Sequence, residues 1–259
     1  VSTVKLQKAK GRAENTKPYF DLMYETVQSI LAKSGHINHK YLKESESDKK
    51  AVIVVTANRG LAGGYNSNIT RMIIDEGFTK ENTVVYAVGK KGRELLERKG
   101  YEIKADYSEA INDPIYKDAK EICDDVLSAF ADGEVGEIYL AYTVFKNTVV
   151  HEPQLIRLLP VEADDAAHET DGSEALMTYE PSEEEALDMI IPKYVCSLVY
   201  GALIESVASE NGARMQAMDS ATSNAEEMIS TLSLKYNRAR QASITQELTE
   251  IIAGANAIE

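Results

Sequence analysis

Three rhythms of apolar and polar positions divide the chain. From Val1 to residue 35, apolar residues recur mostly three or four apart, at Val1, Val4, Ala9, Ala13, Leu22, Met23, Val27, Ile30 and Leu31, as in an amphipathic helix. Ser34-Gly35 supplies its stop, because glycine adopts the left-handed cap conformation at little cost, and Pro18 is expected to bend it. Between residues 50 and 160 the period alternates. Ala51–Thr56, Thr83–Val88 and Tyr101–Ala105 read as strands. Helical stretches follow each of them: one running to Phe78, one over Lys90–Lys99, and one opened by Pro114 and running to Ala131. Glu137–Phe145 and Val149–Leu159 then read as a hairpin. This order predicts a parallel sheet, helices on both faces, and one antiparallel edge.

The third rhythm is the strongest. Met215, Met218, Thr222, Ala225, Ile229, Leu232, Tyr236 and Ala239 repeat with spacings of three and four, and after a phase shift Ile244, Leu248, Ile251, Ala255 and Ile258 resume it. Heptads sustained over this length predict a coiled-coil seam. Counted from Pro192, such a helix would run for roughly 100 Å at 1.5 Å per residue, too long for a domain of this size to bury. Ahead of it, residues 161–188 hold eleven acidic side chains and no Lys or Arg. Residues 161–181 therefore read as a solvated acidic linker and 182–259 as the C-terminal helix, with Glu183–Glu185 at its positive end.

Composition narrows the class. The 259 residues carry 28 Lys and Arg against 42 Asp and Glu, a net charge of −14, which disfavours nucleic acid as a partner because phosphate neutralisation needs concentrated cations. Hydrophobic content of 44% argues against disorder. No apolar run reaches the ~20 residues of a membrane span, so direct insertion is not expected. Cys123 and Cys196 are far apart in sequence, which makes a disulfide framework or thiolate zinc site improbable. The chain is read as soluble, acidic and intracellular. It opens on Val1, so further N-terminal turns are expected ahead of it.

Candidate chemistry is sparse. Gly60-Leu-Ala-Gly63-Gly64 follows the first strand, where doubly wound folds bind phosphate. It matches neither Gly-x-Gly-x-x-Gly nor the P-loop, and reads as a tight turn needing positive φ or close backbone packing; Val88-Gly89-Lys90-Lys91-Gly92 is weaker still. His36-x-x-His39 follows the helix stop and reads as solvated loop, with no third metal ligand close in sequence. Lys5, Lys8, Lys10 and Arg12 form a cationic stripe, either a soluble face or a contact for an acidic partner. No catalytic residue, cofactor site or metal site is assigned.

Two C-terminal segments then carry a resemblance. Ala213-Arg-Met-Gln-Ala-Met-Asp219, continued by Ser220–Ala225, and Leu234-Lys-Tyr-Asn-Arg-Ala-Arg-Gln-Ala-Ser-Ile-Thr-Gln-Glu-Leu-Thr-Glu250 resemble the γ subunits of F-type ATP synthases. Thr56-Ala-Asn-Arg-Gly-Leu-Ala-Gly-Gly-Tyr-Asn-Ser-Asn68 is similar to that family's signature, with Ala62 where Cys is common. The chain lacks the Cys-bearing insert of the chloroplast kind and so resembles the bacterial members. The resemblance implies an α/β fold, with N- and C-terminal helices (1–35 and 182–259) in a long antiparallel coiled coil flanking a Rossmann-like domain (50–160) that carries no nucleotide. It implies a non-catalytic central-stalk rotor, coupling ion-driven rotation of the c-ring to the α3β3 catalytic ring for ATP synthesis, with the ε subunit beside it. It places the protein at the cytoplasmic side of the cell membrane as a peripheral part of that complex. Carried over by position, Arg240, Gln241 and Thr245 would hydrogen-bond the catalytic ring; Met177, Tyr179 and Glu180 would face the c-ring; Lys5 and Lys8 would point toward acidic loops of β subunits. The competing readings are a Rossmann-type nucleotide-binding enzyme, favoured by the glycine-rich turn, and a coiled-coil adaptor, favoured by the heptads alone.

Overall fold

The computed structural model describes residues 2–33, 39–43, 47–161 and 183–256. Residues 1–216 and 217–259 form two separate compact units.

In the first unit, five strands assemble in the order β3-β2-β1-β4-β5: β1 Lys50–Val55, β2 Thr83–Val88, β3 Glu102–Asp106, β4 Glu137–Phe145 and β5 His151–Leu159. The first four pair in parallel, and β4–β5 is the expected antiparallel edge. Central β1 is flanked on both sides, Ile53 lying beside Tyr86 and Leu140. Its Ala-Val-Ile-Val-Val run is wholly buried because both faces are covered, so apolar residues suit every position. Edge strand β3 instead alternates, exposing Glu102, Lys104 and Asp106, charges that discourage pairing with another chain.

Two helical layers close the sheet. On one face Val52, Val54, Val85 and Ala87 meet Ile69 and Ile73 of α2 (Tyr65–Asp75) and Leu96 of α3 (Lys90–Arg98). On the other, Ala51, Ile53, Val55 and Leu140 meet Ile122 and Val126 of α4 (Tyr116–Ala131) and Leu187, Ile191, Val195 and Val199 of α5 (Glu183–Asn256). The helix α4 starts two residues after Pro114, where the Asp118 carboxylate accepts the Ile115 N–H at 2.9 Å, half of a capping box.

The N-terminal helix α1 (Ser2–Lys33) runs through Pro18 and lies against the first part of α5. Tyr24 meets Tyr194, and Phe20 meets Tyr200 edge to face with centroids 6.2 Å apart. Farther back, Ala9 and Arg12 reach the level of Val207 and Asn211. Residue numbers rise along one helix as they fall along the other, so the pair is antiparallel, as expected. Pro192 lies inside α5 and does not begin it. This helix also contains an 18-residue window of mean hydropathy 1.5, 61% of it buried within the protein. The sequence expectation of no span-like apolar stretch is therefore corrected: the stretch exists by length and composition, and most of it is buried within the protein. Of the acidic linker 161–181 only Val161 is among the described residues; it is buried, and its N–H donates to the Tyr41 carbonyl at 3.0 Å.

The second unit is the remainder of α5. From Met218 to Asn256 every described side chain is exposed.

Candidate functional site

The crevice beyond the carboxyl ends of β1 and β4, where the strand order reverses, is where an open α/β sheet receives a ligand. Here protein groups occupy it. After β1, Thr56 continues the ladder to the Val88 carbonyl at 2.8 Å. Its hydroxyl donates to the Gly89 carbonyl and accepts the Gly92 N–H, at 3.2 and 2.9 Å. The Asn58 side-chain oxygen accepts the Lys90 N–H at 3.0 Å, and its amide donates to the Ser108 carbonyl at 2.7 Å. The Lys91 N–H bonds the Ala57 carbonyl. The first three N–H groups of α3, which at a helix N-terminus suit an anion, are thus all taken by residues 56–58.

Helix α5 fills the rest. Tyr65 opens α2 and donates its hydroxyl to the Ser206 carbonyl at 3.1 Å; burial holds that phenol well above its ordinary pKa, hence neutral. Ser209 donates to the Thr143 carbonyl near the end of β4 at 3.1 Å. Ala57, Ala62 and Tyr65 pack with Ala213. Gly212 lies so close to β5 that a β-carbon there would come within 2.5 Å of the His151 ring. Arg214 bonds Glu210 at 2.7 Å and reaches toward the Gly60 carbonyl at 3.4 Å. The glycine-rich turn is an anchor for the root of α5.

Several expectations need correction in their details. The positive φ expected of the glycine-rich turn is present at Gly63 and also at Leu61, the latter a non-glycine residue. The tightest backbone approach belongs to the segment ranked weaker: Gly89 has φ 119°, and a β-carbon there would sit 2.1 Å from the Thr56 carbonyl oxygen. His39 is buried rather than solvated; its Nε2 lies 3.2 Å from Asp188 of α5. The Asp188 carboxyl is held below its usual range, chiefly by Lys40 at 2.8 Å. His36 lies outside the described residues. Arg12 does not belong to a free cationic face, since it bonds Asp113 at 2.6 Å and the Pro114 carbonyl at 2.5 Å. Cys123 and Cys196 lie in one core cluster.

Of the residues assigned to partner contact, Lys8 is exposed and lines a cleft of about 570 Å³ with Arg12, Arg59, Arg214, Asp113 and Glu210. Four cations against two acids make this cleft locally positive in a chain of net charge −14. Lys5 lies on α1, and its side chain is outside the described set. Arg240, Gln241 and Thr245 are exposed on the second unit. Gln241 and Thr245, four apart, share one face, with Arg240 about 100° away. They flank exposed apolar residues: Leu232, Tyr236, Ile244, Leu248 and Ile251. Met177, Tyr179 and Glu180 lie outside the described residues. Sequence reasoning missed Tyr65, Ser206 and Ser209 as crevice-filling groups; the only available signal was the family-like Tyr65 after the glycines, since isolated serines carry no long-range signal.

A family model described as ATP synthase matches residues 1–258. The chain is 67% identical to an ATP synthase gamma chain of Lachnoclostridium phytofermentans, covering all of this chain and 91% of that one. It is 41% identical to a sodium ion specific ATP synthase gamma chain of Acetobacterium woodii, with the same coverage. Among solved structures, it resembles a chain of the Euglena gracilis mitochondrial ATP synthase with TM-score 0.61 and 18% identity, covering 99% of this chain and 93% of that one. A second likeness, to a chain from the central stalk and c-ring of the Tetrahymena thermophila enzyme, has TM-score 0.58 and 22% identity, covering 85% and 99%.

Proposed function

Because the chain belongs to the ATP synthase γ family and is the non-catalytic rotor subunit of F1 within the membrane-associated complex, we propose that its second unit is the surface that tells the catalytic sites apart. The observation carrying this reading is the helix from Met218 to Asn256, whose described side chains are all exposed despite a regular apolar stripe. Such a stripe calls for covering partners.

In this reading a ring of alternating α and β subunits surrounds that helix, with the ε subunit and the c-ring at the other end of the rotor. The complex sits at the cytoplasmic side of the cell membrane. Three equivalent sites cannot all touch one asymmetric helix alike. Each orientation therefore favours a different conformation at each site, and differential contact energy supplies the coupling. Arg240, Gln241 and Thr245 are the polar contacts of this surface, because an Arg fork and a neighbouring amide give directed bonds to carboxylates and carbonyls. Lys5 and Lys8 face acidic β-subunit loops, a reading supported by the positive cleft beside Lys8. Met177, Tyr179 and Glu180 meet the c-ring.

The test is Arg240→Ala combined with Gln241→Ala in the reconstituted complex. Losing one or two charge-assisted bonds should lower coupled ATP synthesis roughly tenfold, with the chain's own unfolding midpoint unchanged. Full coupled activity in the double variant would remove these residues from the coupling surface.

A further inference from the structure

The positive cleft has a charge balance that its own ion pairs leave open. It holds about 570 Å³, within the roughly 300–1,000 Å³ of a small-ligand site. Helix α1 contributes Lys8 and Arg12 to it, the turn after β1 Arg59, the segment before α4 Asp113, and α5 Glu210 and Arg214. Both acids are already engaged, Asp113 with Arg12 at 2.6 Å and Glu210 with Arg214 at 2.7 Å. The positive surplus therefore rests on Lys8 and Arg59, two exposed cations with no ion pair among the described residues. The walls around them are held in place. The Asn58 amide donates to the Ser108 carbonyl at 2.7 Å and to the Asn112 side chain at 3.0 Å, which ties the turn carrying Arg59 to the segment before α4. Arg12 and Arg214 each also reach a carbonyl, those of Pro114 and Gly60. Walls already fixed lose little freedom when a ligand arrives.

We propose that this cleft binds a small, multiply charged phosphate anion of the inorganic diphosphate class, held by Lys8 and Arg59. Charge sets the class. Two cations that no carboxylate of the chain neutralises attract an anion with more than one charged centre, and a diphosphate offers a phosphoryl group to each. Ammonium and guanidinium N–H groups make short, charge-assisted bonds to phosphate oxygens. The lining separates the inorganic anion from a nucleotide carrying the same diphosphate: among the described residues no aromatic ring faces the cleft, so a base has nothing to stack on. The site is not the crevice at the N-terminus of α3, whose first three N–H groups are taken by residues 56–58. The inference goes beyond the rotor reading. An anion seated here would neutralise Lys8, which that reading turns toward acidic β-subunit loops. Binding by the chain alone involves none of those subunits, so it stands or falls separately from that assignment.

The experiment titrates sodium pyrophosphate into the full chain by calorimetry, in metal-free buffer of low ionic strength. The expected result is one-to-one saturation with a Kd below about 1 mM, weakening as salt rises. Lys8→Ala and Arg59→Ala should each weaken binding about tenfold or more. Lys10→Ala is the control, because Lys10 is exposed on the same helix, pairs with Glu14 at 3.6 Å and does not line the cleft. It should change binding less than about twofold. Orthophosphate and AMP should bind at least about tenfold more weakly than pyrophosphate, and ADP no more tightly. Where a variant folds poorly the wild type decides: saturating pyrophosphate should slow acylation of Lys8 at least about fivefold relative to Lys10, read by peptide mass spectrometry. Absence of saturation, equal losses in Lys8→Ala and Lys10→Ala, or equal protection of both lysines would overturn the proposal. So would orthophosphate binding as tightly as pyrophosphate, or ADP or an Asp- and Glu-rich peptide binding more tightly.

Discussion

Residues 56–66 spend their polar groups inside the chain, whereas residues 218–256 turn nearly all of their side chains outward. Both stretches carry family-like signatures, and a motif search alone would treat them as two sites of the same kind. The structure separates them by satisfaction. Around the glycine-rich turn, donors and acceptors are matched within the chain, and the crevice of the doubly wound sheet is filled by Ser206, Ser209 and Ala213 of α5. Along the second unit, apolar side chains that would normally be covered are open. A motif whose groups are consumed internally holds a fold together, and one whose groups remain available meets a partner. This also disfavours the nucleotide-binding reading: a phosphate at the N-terminus of α3 would have to displace Thr56, Ala57 and Asn58.

The comparison breaks most visibly at Gly89. In Gly89→Ala the new β-carbon would meet the Thr56 carbonyl oxygen at 2.1 Å, and the backbone holds φ 119°. Backbone cannot yield as a flexible side chain does, so a loss of about 4 kcal/mol or more is expected, seen as lost soluble chain or a collapsed urea midpoint. Gly60→Ala is the control. A β-carbon there meets nothing within 4 Å, and that φ is not positive, so its midpoint should move little. If the two variants behave alike, the turn is not the anchor described above.

A smaller effect sharpens the contrast between the two regions. Tyr65→Phe removes a buried hydroxyl and leaves the Ser206 carbonyl without that donor, for an expected cost of about 1–2 kcal/mol. Ile244→Ala deletes more atoms, but from a side chain already 48% exposed. Alanine also has the better helix propensity. The isolated chain should therefore change by less than about 0.5 kcal/mol, while assembly with the α and β subunits weakens. Chemical denaturation of both variants, beside a co-assembly titration of Ile244→Ala, measures each half of the claim.

How much of this was legible beforehand depended on the range of the interaction. The strands, their mainly parallel order and the antiparallel hairpin followed from local period and from β-branched runs such as Val52–Val55. The long helix followed from its heptads. Boundaries drifted by about one residue, as at Thr56, which lies just beyond β1 yet still donates its N–H to the Val88 carbonyl. The site was less legible. Lys8 and Arg12 share one helix, yet only the fold brings Asp113 and Pro114 to Arg12 and leaves Lys8 exposed. Gly89 drew little weight because its local sequence matches no phosphate motif; its necessity comes from Thr56, 33 residues earlier. That Cys123 and Cys196 share one core cluster was invisible for the same reason. Spacing along the chain says nothing about two helices that pack on the same face of a sheet.

The smallest effect falls at the seam where β5 meets α5. The His151 ring faces Gly212 so closely that no β-carbon fits between them, and lies 5.9 Å from Phe145. Burial lowers its pKa below the ordinary 6.5, because the charged imidazolium loses hydration that the seam does not replace. The sign follows from proton counting. Below about 6.5 the unfolded chain binds a proton at this residue that the folded chain resists, so stability rises with pH through that interval. The contribution is complete above 6.5, falls as pH drops toward the depressed folded-state pKa, and levels off beneath it. Denaturation midpoints at pH 7.5 and 5.5 for wild type and His151→Gln isolate this from other titrating groups. The wild type should lose more on acidification than the variant does. Equal losses would mean that the imidazole is charged at no cost in the fold, and that the contact of β5 with the root of α5 is looser than Gly212 implies.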